Sequence, residues 1–390
     1  MTSIAGFAPH PAAQNAGQPA TIVEIAHGLK EVFAAKAEHY DENDEFVAAN
    51  YALLKDAGLV EAGVPREIGG RGADIGELAE MLRVLAHGCG STALAFSMHT
   101  HQVAVPAWRW RHQKVAAVEP LLKRVASERI VLLSSGGSDW IAGSGTATRV
   151  EGGYRISARK VFTSGASAGD ILMTGALLRD EDGTDKVLHF AAPMKAPEVR
   201  IEETWRTLGM RGTGSHDVVI DGLFVPDAGV ALARPAARWH PLFQIIATIA
   251  FPLVYAVYLG VAESARDIAL ASARTRRQSS DVLELAGRMD TALRAARLAH
   301  RSMIAAAERN APSAETVNDV MIGRSLVADH AIRATELAMK LAGGASFYRR
   351  NGLERRFRDV QGARFHPLQA GPQARYAGAI ALGQPIDEIF

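Results

Sequence analysis

Three short runs and three histidines carry the polar groups that chemistry would use in this chain. Gly136-Gly137-Ser138-Asp139 follows a strand-like apolar run. Its two glycines let backbone N–H groups approach an anion with no Cβ in the way, and Ser138 adds a hydroxyl. Ser134 and Ser135, just before it, offer hydroxyls to the edge of a flat ligand. Lys160-Val161-Phe162-Thr163-Ser164-Gly165 sets an aromatic ring beside two more hydroxyls. Trp205-Arg206-Thr207-Leu208-Gly209-Met210-Arg211-Gly212-Thr213-Gly214-Ser215-His216-Asp217 is a second Gly-rich stretch, closing on Val225-Pro226. His99, His101 and His366 supply imidazoles, which near neutral pH can give a proton or take one. His216, inside a strand-like run, reads as structural.

Bulk properties narrow the setting. The chain has 390 residues, 43 basic and 42 acidic, for a net charge of +1. That length allows two or three domains, and the balance leaves no basic surface for nucleic acid. The single cysteine, Cys89, excludes an intramolecular disulfide framework and a cysteine-built metal cluster, and suits a reducing cytoplasm. No metal site is expected. The first twenty residues, rich in Ala, Pro, Gly and Gln, read as a flexible arm. Residues 241–262 carry no formal charge and are long enough to cross a membrane. Gln244, Thr248 and Pro252 interrupt them, and a charged amphipathic pattern follows at once, so a helix buried inside a bundle is expected instead.

Positioning elements follow from periodicity. Ile22, Ile25, Leu29 and Val32, then Leu78, Met81, Leu82 and Leu85, recur at helical spacing. From about Ile130 the pattern changes to short strands: Ile130–Leu133, Thr146–Val150, Tyr154–Lys160 after a Gly152-Gly153 turn, Ile171–Leu178, Val187–Ala192 after an Asp182-Gly183 turn, and Val218–Val225. Helical spacing returns with Val282, Leu285, Met289, Leu293 and Ala296. Pro312-Ser313 opens a further helix that Gly343-Gly344 ends. The expected organisation is a flexible arm (1–20), a helical domain (21–127), a β domain (128–235) and a helix bundle (236–390), an α+β multidomain chain.

Taken in order and at this distance, the Gly-Gly-Ser-Asp, Phe-Thr-Ser-Gly and Trp205–Asp217 runs resemble the middle domain of the acyl-CoA dehydrogenase superfamily. Ser91-Thr92-Ala93-Leu94-Ala95-Phe96-Ser97-Met98-His99 is similar to the helix lining that family's active site, and Gly343-Gly344 with Arg358-Asp359 to its final helices. The resemblance implies a helical N-terminal domain, a middle β-barrel and a C-terminal antiparallel four-helix bundle. It also implies a flavin, FAD or FMN, held by Ser134, Ser138, Phe162, Thr163 and Ser164. Phe162 would stack on the ring and Thr163 would bond its N5. A homotetramer is implied as well.

The sequence departs from a dehydrogenase where the dehydrogenase needs a base. Removing an α-proton from a thioester requires a carboxylate within hydrogen-bond reach. The family's two positions for it fall near Ala370 and Ala250, and no Asp or Glu lies between Asp359 and Asp387. Lys340 stands where a Gln would grip the adenosine end of FAD, and Arg274-Thr275-Arg276-Arg277-Gln278 lacks the expected Phe-Gly pair. The departures are similar to the two-component monooxygenase branch, which takes reduced flavin from a separate reductase. His366-Pro367 sits where that branch carries a C-terminal histidine. The expectation is a reduced-flavin monooxygenase acting on a small aromatic or heteroatom-bearing substrate, with His366 and His99 handling protons. Two alternatives stand beside it: an acyl-CoA dehydrogenase with an atypical base, and a non-catalytic flavin- or acyl-binding scaffold.

Overall fold

The computed structural model describes residues 20–135, 140–180, 183–387 and 389. Most of the expected N-terminal arm, the Gly136–Asp139 run with Ser138, and Asp182 of the expected turn therefore lie outside the described residues. Five helices come first: α1 (Ile22–Glu42), α2 (Ala48–Asp56), α3 (Ile75–Gly88), α4 (Gly90–Gln113) and α5 (Glu119–Glu128). Capping boxes at Thr21/Glu24 and Asp74/Glu77 start α1 and α3, satisfying backbone N–H groups that the first turn leaves open. Helix α4 runs straight on through Pro106.

One eight-stranded sheet follows, from β1 (Leu132–Ser134), β2 (Thr146–Val150), β3 (Gly153–Thr163), β4 (Ile171–Arg179), β5 (Asp185–Pro193), β6 (Val199–Glu202), β7 (His216–Pro226) and β8 (Val230–Pro235). Its order is β6-β7-β3-β2-β4-β5-β8, with β1 pairing in parallel beside β4. The Gly152-Gly153 turn joins β2 to β3 as expected, with Thr146 opposite Ser157 and Val150 opposite Gly153.

The C-terminal part is built on three long helices, α6 (Pro241–Arg274), α7 (Ser280–Glu308) and α8 (Ala314–Ala342), joined by short connections and completed by α9 (Leu353–Val360) and α10 (Ala370–Ala381). The uncharged stretch is the first half of α6, the one helix among the described residues long and apolar enough to cross a membrane. Almost all of its apolar window is buried against other helices. Helix α6 packs on α3, α4, α7 and α8 and is the axis of the molecule. At Gly260 a Cβ would stand 2.2 Å from the Arg83 carbonyl oxygen, so only glycine allows α3 and α6 to come this close. One turn away, buried Glu263 receives Arg83 and, at 2.7 Å, the Arg297 Nε, tying α3, α6 and α7 together. A buried carboxylate held by two guanidiniums meets the requirement that buried charge be paired.

Candidate active site

The rim of the sheet is shaped by a bulge. Lys160 pairs with Val218 and Thr163 with His216, so β3 spends one more residue than β7 between the two pairs. Phe162 occupies that irregularity at φ 57°, a backbone region that aromatic residues rarely adopt, and its ring is 54% exposed. Trp205 meets it edge-on with ring centroids 5.8 Å apart. A strained backbone that holds a large aromatic out of the core points to function at the rim. Phe162 here presents an open flat face next to Thr163, the arrangement that fits an isoalloxazine ring.

Thr163 is fully buried, and its hydroxyl donates to the Lys160 carbonyl at 3.3 Å. Ser164 shares a hydrogen bond with Ser215 at 2.8 Å, and Ser215 another with Thr213 at 2.7 Å, making a chain of hydroxyls below the rim. Ser164 therefore spends its hydroxyl inside the loop. Ser134 ends β1 half-buried opposite Met173, while Ser135 shares a hydrogen bond with Thr174 at 2.7 Å. His216 accepts the Trp205 N–H through Nδ1, the structural role its sequence setting suggested.

The loop that carries Trp205 is pinned from two sides. Asp359 of α9 accepts the Met210 N–H, and Arg358 donates to the Leu208 carbonyl while pairing with Asp41 of α1. A Cβ on Gly209 would lie 2.4 Å from the Arg358 carbonyl oxygen, so the close approach of loop to helix requires glycine. Arg211 reaches Asp44 on the N-terminal side. Burial pushes the Asp359 carboxyl up to about 6, against the Met210 N–H that favours its charged form. This is what the Arg-Asp pair does: it locks the rim to the bundle.

The histidines separate into two roles. His99 does not serve the proton-handling role expected of it. It is 1% exposed, Nε2 donates to the Val60 carbonyl at 2.8 Å, and Nδ1 accepts the Leu132 N–H at 3.0 Å. With both ring nitrogens bound to backbone, His99 braces β1 against α4. His101, two residues on, faces elsewhere. Its Nδ1 donates to the Ser97 carbonyl at 3.0 Å, and Gln102 lies 3.5 Å from Nε2. His101 is also close enough to His366 to disfavour charge on it.

His366 meets a group the sequence reading missed. Its Nε2 lies 2.6 Å from the Tyr258 hydroxyl, and Tyr255 is edge-on at 6.2 Å. Arg324, 2% exposed, donates to the carbonyls of Ala363 (3.1 Å) and His366 (3.0 Å), and lies 5.1 Å from the centre of the Tyr255 ring. Tyr255 donates to the same Ala363 carbonyl at 2.7 Å. Burial, assisted by Arg324 and His101, holds His366 down to about 3, and burial holds His101 at about 4. Both are neutral at pH 7. The available signal was two tyrosines inside an uncharged stretch, since buried phenols need partners.

Tyr258 and Tyr255 belong to one stripe of α6 with Phe251, Thr248 and Gln244, at i, i+3, i+7, i+10 and i+14 counted backwards. That stripe spans about 21 Å. At its far end a cavity of about 300 Å³ opens between α4, β8 and the start of α6, lined by Trp108, Arg109, Gln113, His240, Gln244 and Ile245. Trp140, packed on Phe243 at 4.7 Å and Phe251 at 6.2 Å, walls the stripe midway. The cavity and the His366–Tyr258 pair thus stand at opposite ends of this stripe of α6. Ala250, one of the two seats for a dehydrogenase base, is buried on α6, and Ala370 is exposed at the start of α10.

The chain matches the N-terminal, middle and C-terminal domains of acyl-CoA dehydrogenase at residues 22–123, 134–223 and 253–369. It belongs to the acyl-CoA dehydrogenase superfamily. Within that superfamily it is similar to the amino sugar nitrososynthase DnmZ of Streptomyces peucetius, at 27% identity over 90% of this chain and 91% of the relative. It is also similar to the indole-3-acetate monooxygenase of Pseudomonas putida, at 28% identity over 85% and 86%. The solved structure of KijD3 with FMN and a dTDP-linked amino-keto sugar superimposes with a TM-score of 0.85 at 26% identity, covering 94% of each chain. This superfamily member is a flavin-dependent oxidoreductase, with FMN or FAD as its cofactor.

Proposed function

We propose that this superfamily member is a monooxygenase that receives its flavin already reduced and oxidises a small aromatic or heteroatom-bearing substrate. One observation carries the reading. The two places where a dehydrogenase base would stand hold Ala250 and Ala370, while the polar stripe of α6 ends on the neutral groups Tyr258 and His366. Without a carboxylate there, α-proton abstraction from a thioester has no acceptor. Neutral imidazoles suit proton transfer to and from oxygen or nitrogen.

Phe162 would stack on the flavin, with Thr163 and the backbone of residues 163–165 along its edge. Bound there, the reduced flavin supplies the electrons that activate oxygen. The protein's part is to keep the site dry and hold protons at His366 and His101. Lys340 and the absence of a Phe-Gly pair after Arg277 support loose retention of the cofactor and a separate reductase. Phe347 (87% exposed) and Tyr348 (60% exposed), just past the Gly343-Gly344 helix end, support contact with a second copy of the chain in a homotetramer.

The test supplies reduced FMN or FADH2 under ¹⁸O-labelled oxygen with aromatic and amine substrates. Substrate-dependent incorporation of label supports the proposal. Anaerobic bleaching of bound oxidised FAD by an acyl-CoA, with no labelled product from any class, would overturn it. The flavin seat has its own check. Phe162→Ala should weaken binding of reduced FMN by about 2- to 12-fold, the range for losing one aromatic stack of 0.5–1.5 kcal/mol. Because the ring is largely exposed, thermal stability should hardly change, and a fluorescence titration beside a melting curve reads both.

A further inference from the structure

We infer that Tyr258 is a positioning residue that fixes which nitrogen of His366 carries its proton, so that His366 presents an N–H donor at Nδ1. The inference rests on the placement of the active site at His366, and its test needs neither flavin nor turnover.

The bond between Tyr258 and His366, at 2.6 Å, has two possible directions. Tyr258 is fully buried, and its hydroxyl has no other hydrogen-bond partner among the described residues. Were it to accept from His366, its own O–H would be buried with nothing to receive it, which is expensive. Donation from Tyr258 places the unmatched hydrogen on His366 Nδ1, an atom not wholly shut off from solvent. Burial raises the phenol far above its ordinary range, which keeps that proton on oxygen.

With Nε2 accepting, a neutral His366 must carry its hydrogen on Nδ1. That Nδ1–H is then the group free to donate. Arg324, by holding the His366 carbonyl, fixes the backbone from which the ring projects. His101 takes the same tautomer for a different reason. A backbone carbonyl can only accept, so Ser97 requires the hydrogen on Nδ1 and leaves Nε2 bare. His366 thus presents N–H, while the His101 lone pair faces the Gln102 amide at 3.5 Å.

The experiment is long-range ¹H–¹⁵N correlation NMR on flavin-free, ¹⁵N-histidine-labelled protein at pH 7.5, with His366 and His101 assigned by their loss in His366→Gln and His101→Gln. Expected are protonated Nδ1 and bare Nε2 for both rings. For His99, the expected pattern is the reverse. In Tyr258→Phe, His366 alone should move toward the Nε2–H form while His101 and His99 stay. A wild-type spectrum with hydrogen on Nε2 of His366 overturns the inference, even if the variant fails to fold. So does an unchanged His366 in a folded Tyr258→Phe. Failure of the oxygen-labelling test with these tautomers intact would count against the proposed reaction and leave this inference standing.

Discussion

His366→Asn is expected to lower oxygenated product by about 10²–10⁴-fold, the usual contribution of a positioned acid or base. Asn cannot reproduce an imidazole that accepts from Tyr258 on one side and donates on the other. Oxygen consumption should fall much less than product, because electrons still reach oxygen when the substrate's protons are mishandled. The measurement is labelled product per reduced flavin, against total oxygen consumed. Some stability will also go, since the Tyr258 hydroxyl loses its acceptor inside the protein, at about 1–3 kcal/mol. The variant should therefore be assayed well below its melting temperature. Product within threefold of wild type would remove His366 from the chemistry and leave it as packing.

Acid should unfold this protein through its buried histidines. His99 and His101 are held neutral by burial, each lowered from 6.5 to about 4. The unfolded chain takes up a proton on each as pH falls through 6.5, while the folded chain does not until about 4. Stability contributed by the neutral rings is complete above 6.5 and is lost on the way down. At pH 5 the loss is about 2 kcal/mol for each ring, from 1.36 kcal/mol per pKa unit. Urea unfolding at pH 7.5 and pH 5 should show the drop, and His101→Gln should shrink it by about 2 kcal/mol. A drop of the same size in that variant would show that the carboxylates, not this ring, set the acid limit.

The contrast between His99 and His101 shows where reading from sequence stops. Both lie on the helix that lines the seam. Two residues apart on a helix means a rotation of about 200°, so only one of them can face the pocket. Choosing between them requires the helix's orientation about its own axis, which packing against β1 and α6 decides. The expectation chose His99, whose nitrogens turn out to serve the backbone. His366 was named from its place in a family pattern, which does not depend on a phase. Tyr258 and Arg324 were not. Their polar ends are buried among residues that look like core, and their partners lie 108 and 42 residues away at most in the chain.

In the sheet, local chemistry was a good guide where turns are tight. The Gly152-Gly153 hairpin and the Thr146–Val150 strand stand where expected. β6 and β8, the two ends of the sheet, were missed. Val199–Glu202 is four residues long, and Val230–Pro235 ends in proline, so neither gives a convincing alternation. Their pairing partners define them, and those are set by the rest of the fold. The uncharged first half of α6 was expected to be buried on all sides, and almost all of its apolar window is. What the apolar run concealed was its polar stripe, because a few oxygens scarcely lower the mean hydropathy of so long a segment.

The clasp of Asp359 on Met210 has a mechanical consequence. His366 lies only seven residues beyond Asp359, on the same short tether that anchors the loop bearing Trp205. The aromatic wall and the imidazole are thus mounted on one bracket. Lengthening the tether by a single residue between Val360 and Phe365 would spare the clasp and throw the imidazole out of step with the wall.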